Sequence, residues 1–436
     1  MKNEQKTVLV VDGGGRGSVL VWKYLESPHV STVLATPGND LMKEMGKKSV
    51  MTFPDVKTTD VPKIIEICKK YKVDLVDVNQ DDAIAVGLVD HLEKKGFLVF
   101  GPTQAASQIE WDKAWARNFM KKFKIPHPSF KVCYSQKEGI GFVKSQPDGE
   151  WFIKASGLAA GKGALYAKDR KQATEQIREM KRFGKSGKIF LIEECLHGEE
   201  FSSFALVNGK KFVIIGHAQD HKTVYDGDQG PNTGGMGCSS TPMVITPKIE
   251  KQIKLIIKKT VEGLHKVNRP YAGILYLGGM IDKKGKVYVI EFNARLGDPE
   301  AEVIIPPITN DMYQLVASTL KGKLPKIRKD KFYRVVVTVA AQGYPVDYSQ
   351  ALGKQIFGLE NLLKDKTVKV FGAAAKKVGQ KFVIGGTRNL HVMSWGKDVV
   401  QARQKVYNAL SKISAEGNNL HYRTDIGYRD LQRLTK

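Results

Sequence analysis

Short apolar runs at residues 8–11, 32–35, 74–78 and 97–100 alternate with stretches whose apolar positions recur at helical spacing. One such stretch opens on Asp60 and Pro62, a capping residue and a residue tolerated in the first helical turn. This βαβ succession predicts a parallel sheet over residues 7–101. A further helix is expected to carry Ile109, Ala116, Phe119, Met120 and Phe123 on one face. It ends at Ile125-Pro126-His127-Pro128, because two prolines cannot continue helical hydrogen bonding. Beyond it the pattern turns to strand pairs, 151–155 with 164–167, and 204–207 with 212–215 across Asn208-Gly209, a hairpin signal. Near residues 321–331 the chain becomes basic and loses apolar periodicity; a strand then starts at 335–339, and Val399, Ala402, Val406, Leu410 and Ile413 mark a closing helix. The expected fold is α/β and α+β multidomain: a Rossmann-like parallel-sheet domain at 1–103, a central domain at 104–325 with a mobile lid at about 128–190, and a small α+β C-terminal domain at 326–436.

With 436 residues, 42% of them apolar, the chain buries full cores without disulfide staples. Cys68, Cys133, Cys195 and Cys238 form no Cys-x-x-Cys pair, which argues against a zinc ribbon and suits a reducing cytosol. The polar first residues run straight into Val8 without the succession of a signal peptide, and the longest apolar run, 272–281, is about half the ~20 residues a spanning helix needs. A soluble, cytoplasmic protein is expected. Lys and Arg number 69 against 45 acids, a net charge of +24, which would attract nucleic acid or polyphosphate ligands. The cations are spread along the chain, densest at 321–334, and are not interleaved with aromatics, so solvated Lys-rich surfaces are the preferred reading over a nucleic-acid role.

Candidate chemistry lies in glycine-rich turns and at one strand end. Asp12-Gly13-Gly14-Gly15-Arg16-Gly17-Ser18 joins a strand to a helix, yet no acid follows the next strand to hold a ribose, so a nicotinamide site is disfavoured; a packing turn and a small-anion site both remain. In Lys154-Ala155-Ser156-Gly157-Leu158-Ala159-Ala160-Gly161-Lys162-Gly163 the glycine spacing is one residue short of a Walker loop and Gly163 replaces its hydroxyl. Flanked by strands, the segment reads as a flexible hairpin able to close over a triphosphate. In Val289-Ile290-Glu291-Phe292-Asn293-Ala294-Arg295, alternation sets Glu291 and Asn293 on one face and Ile290 and Phe292 on the other; two hard oxygens together suit Mg²⁺, with Arg295 near for a phosphoryl or carboxylate group. Ile192 to Glu200 is a less informative acidic strand end. Asp220-His221-Lys222 precedes Gly230-Pro231-Asn232-Thr233-Gly234-Gly235-Met236-Gly237, where four glycines suggest backbone close to a ligand, with a plain surface loop as the rival; His221 is either a proton shuttle or structural.

In this order and spacing the segments resemble the ATP-grasp superfamily and, within it, the phosphoribosylamine-glycine ligase family, over residues 8–427. The resemblance implies an ATP-grasp core that uses ATP with Mg²⁺ or Mn²⁺. It implies that Lys113, Lys154, Gly157, Gly161, Lys162 and Gly163 meet the phosphates, that Glu193, Glu194 and Leu196 belong to an adenine hinge, and that Glu200 meets the ribose. Glu291 and Asn293 would ligate the metal; Arg295 and Asp298 would be catalytic. Gly15, Arg16, Asp220, Lys222, Asn232, Thr233, Gly234 and Gly235 would contact substrate. The implied reaction passes through glycyl phosphate to glycinamide ribonucleotide, ADP and phosphate, with glycine and phosphoribosylamine as small-molecule partners, in a monomer or homodimer without membrane association. Three departures from the family pattern stand out: Gly15-Arg16-Gly17-Ser18-Val19 in place of Gly-Arg-Glu-His-Ala, Asn79-Gln80-Asp81 in place of Gly-Pro-Glu, and Glu110-Trp111-Asp112-Lys113 in place of Glu-Gly-Ser-Lys, which is expected to crowd the lysine. The first two leave open a ligase with another amine acceptor; a basic nucleic-acid-binding protein on a ligase-like scaffold is the remaining alternative.

Overall fold

The computed structural model describes residues 5–159 and 162–435. The first region is a parallel sheet in the order Ser49–Thr52, Val30–Pro37, Lys6–Asp12, Leu75–Val78, Val99–Phe100. Its apolar runs are near-continuous because both faces are covered: Val8 and Val10 pack with helix Gly15–Leu25 on one side, and Leu9 and Val11 with helices Val61–Lys70 and Leu88–Lys94 on the other. The Asp60 side chain accepts a hydrogen bond from Lys63 N at 3.3 Å, capping its helix as the sequence predicts. Ser49–Thr52 was not predicted; it is a partly exposed edge strand with no full apolar run to announce it.

The expected single helix through Ile109 and Phe123 is two, Gln108–Trp111 and Lys113–Lys122. Asp112 leaves the helical conformation and its Oδ1 accepts from Trp115 N at 3.0 Å, making it the cap of the second helix. Lys113 is thereby placed at a helix start.

A four-stranded antiparallel sheet, ordered Phe130–Cys133, Phe190–Glu194, Trp151–Ala155, Ala164–Ala167, packs with helices Gln136–Ser145 and Arg170–Glu179 around its own small core. The central sheet is larger. It runs Val287–Asn293, Ala272–Ile281, Glu199–Asn208, Lys211–Asp220, Gly237–Ser240, Tyr333–Ala341, Arg388–Gly396, Val368–Gly372. Asn208 pairs with Lys211, leaving Gly209 and Lys210 as the two-residue turn of the expected hairpin, with Gly209 at φ +60°. Because Gly237–Ser240 pairs with Tyr333–Ala341, one sheet runs without a break from the central region into the C-terminal one. Helix Val399–Leu410 closes that end, burying Val399, Ala402, Val406 and Leu410 in the second core. Among the described residues no helix is long and apolar enough to cross a membrane.

Candidate active site

The site forms at the end of the large sheet and depends on a defect in its edge strand. Val287 and Val289 point into the core; so do Phe292 and Ala294, which have the opposite parity. The change occurs at a bulge, where Gly278 pairs with Glu291 and Gly279 with Val289, leaving Ile290 unpaired. Without that extra residue, Glu291 would share the face of Val287 and Val289 and lie inside an apolar core. With it, Glu291 lines a cleft beside Glu200, Ser202, Asp220, Lys222 and Gly278. Ile290 lines the same cleft, which corrects its expected place on the opposite face.

Arg117 holds the bulge. Its Nη1 and Nη2 donate to Val289 O at 3.3 Å and Ile290 O at 2.6 Å, while Nε and Nη2 donate to Glu193 at 2.5 and 2.9 Å. Lys154 Nζ reaches the same Glu193 carboxylate at 2.8 Å. Burial alone would raise the Glu193 pKa; Arg117 and then Lys154 outweigh it and hold the group at about 2. The carboxylate expected in the adenine hinge is thus committed to two cations, and only its backbone is left for a ligand. Glu194 instead is exposed and accepts from Ser129 N and Oγ, with half-buried Leu196 beyond it.

Around Glu291 the charge is arranged for an anion and a cation together. Burial pushes its pKa up, but Lys222, Lys113, Lys154 and Arg295, in that order, hold it below the usual carboxylate range. Lys113 is fixed through its backbone N–H on Ser156 O at 2.9 Å, and Ser156 Oγ donates to Asp112 at 2.8 Å. Trp111 turns back to donate to Gln104 O and Ser107 Oγ, each at 3.2 Å, and Glu110 is spent on Arg295 at 3.1 Å and Ala294 N at 2.7 Å. Trp111 and Asp112, the two residues expected to crowd Lys113, therefore each have partners of their own. Asn293 Oδ1 accepts from Arg295 Nη2 at 3.3 Å, tying the metal-ligand candidate to its neighbour. Lys222 pairs with Glu200 at 3.2 Å, and that pairing chiefly raises its pKa well above the ordinary lysine value. Burial, then Glu300, push Asp220 well above the usual carboxylate range against Lys222 and Arg388.

The glycine-rich segment joins the paired strands Trp151–Ala155 and Ala164–Ala167. Gly157 N donates to Ser186 O at 3.1 Å, and a Cβ there would lie 2.9 Å from Ser186 Cα, so glycine permits the approach. Lys162 is exposed, Gly163 O accepts from Ala155 N at 2.8 Å, and Gly161 lies outside the described residues. The second glycine loop docks on the sheet. Thr233 N and Oγ1 both donate to Lys222 O at 2.7 Å, Gly234 N to Tyr344 OH at 2.9 Å, and Gly235, at φ +112°, packs on Pro299 and the Asp220 carboxylate. Asn232 is exposed at the end of its strand, paired with Thr223.

Three expectations change. Arg16 donates through Nε to Asp12 at 2.6 Å, through Nη1 to Leu296 O at 2.8 Å and through Nη2 to Gln80 Oε1, so each guanidinium nitrogen has a partner inside the protein. Gly15 packs closely on side chains: a Cβ there would lie 2.1 Å from His391 and 2.4 Å from Glu302. The anion at this helix start is the protein's own Asp298, which accepts from Arg16 N at 3.2 Å. Asp298 in turn lies 3.1 Å from both Arg388 Nη2 and His391 Nε2, and Arg388, then the His391 contact, outweigh burial to hold its pKa well below the carboxylate range. His221 is structural: burial and Arg429 lower its pKa to about 3, and its neutral ring accepts from Gly427 N at 3.3 Å.

Arg117 and Arg388 escaped the sequence reading. Arg117 sits on the buried face of helix Lys113–Lys122, between Ala116 and Met120, and an arginine at a core position was a usable signal. Arg388 donates to Gly234 O at 2.8 Å and Asp298 O at 2.7 Å, joining elements far apart in sequence, and no local pattern announces it.

A parallel-sheet domain, a glycine-hairpin lid and a cation-ringed carboxylate at the edge of an antiparallel sheet define an ATP-grasp protein. The fold is shared with biotin carboxylase from Campylobacter jejuni, solved in complex with an ATP form, at TM-score 0.73 and 14% identity over 96% of this chain and 93% of that one. Family models narrow this: the N, ATP-grasp (A) and C domains of phosphoribosylglycinamide synthetase match residues 6–110, 111–301 and 334–429. The chain belongs to the phosphoribosylglycinamide synthetase family. It is 37% identical to a phosphoribosylamine-glycine ligase of Caulobacter vibrioides over 99% of this chain and all of that one. The solved phosphoribosylamine-glycine ligase of Thermotoga maritima superposes with TM-score 0.82 at 30% identity, covering 97% of this chain and all of that one.

Proposed function

We propose that this chain is a carbon-nitrogen ligase that joins glycine to 5-phosphoribosylamine at the expense of ATP, giving glycinamide ribonucleotide, ADP and phosphate in de novo purine synthesis. The observation that carries the reading is the convergence of Lys222, Lys113, Lys154 and Arg295 on an ionised Glu291 in a full-length member of this family.

In this reading the glycine carboxylate attacks the γ-phosphorus of ATP, ADP leaves, and the amine of phosphoribosylamine then displaces phosphate from glycyl phosphate. Lys113, Lys154, Gly157, Gly161, Lys162 and Gly163 hold the phosphates; the Glu193 backbone, Glu194 and Leu196 meet adenine, and Glu200 the ribose. Glu291 and the Asn293 amide oxygen form the hard donor set that fits Mg²⁺ or Mn²⁺. A bound divalent ion would supply charge neutralisation on the phosphate oxygens. Arg295, steadied by Glu110 at 3.1 Å, is the catalytic cation for the transferring group, and Asp298 positions Arg388 and the loop of Asn232, Thr233, Gly234 and Gly235. Asp220 and Lys222 face the acceptor. The lid at about 128–190 excludes water from the acyl phosphate. Residues 1–103, 104–325 and 326–436 serve as acceptor-side, nucleotide and closing domains of a cytoplasmic monomer or homodimer.

A second reading, another amine acceptor, is favoured by one contact: Arg16 and Gln80, from the two turns that depart from the family pattern, bond to each other. The test is ADP release with Mg-ATP and glycine, with and without phosphoribosylamine generated in place from ribose 5-phosphate and ammonia. Release requiring both substrates supports the assignment. Release with glycine alone, or with another amine in an acceptor screen, overturns it in favour of the second reading.

A further inference from the structure

Where the start of helix Gly15–Leu25, the segment 298–302 and strand Arg388–Gly396 meet, three ligating side chains face one another. They are Asp298, Glu302 and His391, and one ligand atom from each lies within 4.8 Å of the others. Glu302 and His391 are fully buried. Both Glu302 oxygens, His391 Nε2 and Asp298 Oδ1 lack a hydrogen-bond partner among the described residues. His391 Nε2 and Asp298 Oδ1 are 3.1 Å apart, and Arg388 Nη2 lies 3.1 Å from the same oxygen. Ligands at about 2.0–2.1 Å from a tetrahedral ion are separated by about 3.3 Å.

The surroundings fit a metal ligand set. Thr338 Oγ1 lies 3.0 Å from His391 Nδ1, and the tautomer in which Nδ1–H donates to that hydroxyl would present the Nε2 lone pair to the carboxylates. The charged neighbours are Arg388, 3.1 Å from Asp298 Oδ1, and the helix start, where Arg16 N donates to Asp298 Oδ2. Arg16 adds a second guanidinium and Glu300 a third carboxylate to the charges acting on Asp298 and Glu302.

The geometry points to a second metal site, separate from Glu291 and Asn293, in which Asp298, Glu302 and His391 bind a first-row divalent cation such as Zn²⁺ or Mn²⁺ and pin the N-terminal helix to the C-terminal strand. One imidazole and two carboxylates are the mixed nitrogen and oxygen set such ions take.

The experiment is metal binding by the full chain, stripped with chelator and free of nucleotide, titrated with Zn²⁺ or Mn²⁺ at pH 7.5 and read as bound metal per chain and as melting temperature. One tight equivalent is expected, weakened at least tenfold in Glu302→Gln and His391→Ala and retained in Glu291→Gln. Retention in Glu291→Gln separates this site from the nucleotide metal, so it stands or falls independently of the proposed reaction. Because a core variant can fail to fold, Co²⁺ is also loaded into the unaltered chain and into Cys195→Ser. Visible d–d bands without thiolate charge transfer, unchanged in Cys195→Ser, support the site. No tight equivalent, or a thiolate band lost in Cys195→Ser, which would place the ion on Glu150, Cys195 and His197, overturns it.

Discussion

Replacing Arg117 by Met tests the architecture under the nucleotide cleft. Arg117 makes two bonds to Glu193 and one to each carbonyl of the bulge, all out of water. Removing one partner of a buried pair costs about 3–5 kcal/mol, because the other charge stays behind. Here Lys154 remains 2.8 Å from Glu193, which puts the expected loss near the bottom of that range, about 3 kcal/mol. An independent route gives a similar figure. Glu193 titrates at about 2 against an ordinary 4.5, and at about 1.4 kcal/mol for each tenfold change in acidity the pairing contributes about 3 kcal/mol. The folded pKa is depressed, so this contribution is present above pH 4.5 and is lost as pH falls toward 2. The assay is urea denaturation of the chain, Arg117→Met, Glu193→Gln and the double variant. The double variant should be less destabilised than the two single losses added together, because neutralising Glu193 removes the charge that Arg117→Met strands. Strict additivity would refute the reasoning. Arg117→Met should also raise the KM for ATP, since Lys154 is then drawn to Glu193 alone; an unchanged KM would separate the pair from the nucleotide site.

Glu291→Gln should lower ADP release at least 100-fold while circular dichroism and melting temperature stay close to those of the unaltered chain; normal turnover would mean the metal site is misplaced. His217 and His221 are buried neutral, at about 4 and about 3 against an ordinary 6.5. Their stabilisation is complete above pH 6.5 and falls between 6.5 and 4 by about 1.4 kcal/mol per pH unit for each; denaturation at pH 7 and 5 should show the slope, and a His217→Asn/His221→Asn variant with the same slope would contradict it. Gly15→Ala should cost about 1–3 kcal/mol by overpacking against His391 and Glu302, and a neutral result in thermal denaturation would mean the helix start has room to shift. Gel shifts with DNA or RNA at low salt should show no complex if the net charge of +24 is only solvated surface, and a salt-sensitive shift would contradict that.

The sequence carried the periodic features and missed those made by contacts across it. Parallel strands buried on both faces, the Asp60 cap and the hairpin turn at Gly209 each have a local cause, and each was legible. The break at Asp112 was not, because the apolar period continues through it and only the cap geometry interrupts the helix. Glu291 and Asn293 were assigned to one face correctly but for an incomplete reason. Simple alternation from Val287 and Val289 would have sent them into the core, and the bulge that re-aims them is set by Gly278 and Gly279 on the neighbouring strand and by Arg117 beneath. No reading of that strand alone contains this information.

The two N-terminal departures show the same limit from the other side. Read separately, the turns at Gly15 to Val19 and at Asn79 to Asp81 are two changes that bear on the acceptor. In the folded chain they are one feature: Gln80 accepts from Arg16, Asn79 Oδ1 accepts from Leu296 N at 3.1 Å, and Arg16 closes the circle on Leu296 O at 2.8 Å. Both turns therefore grip the segment that carries Arg295 and Asp298. A change in either would reach the chemistry by moving that segment rather than by losing a substrate contact, so Gln80→Ala should alter kcat more than the KM for phosphoribosylamine. Kinetics with the acceptor varied would decide it: a change confined to KM would mean that these turns touch the acceptor after all.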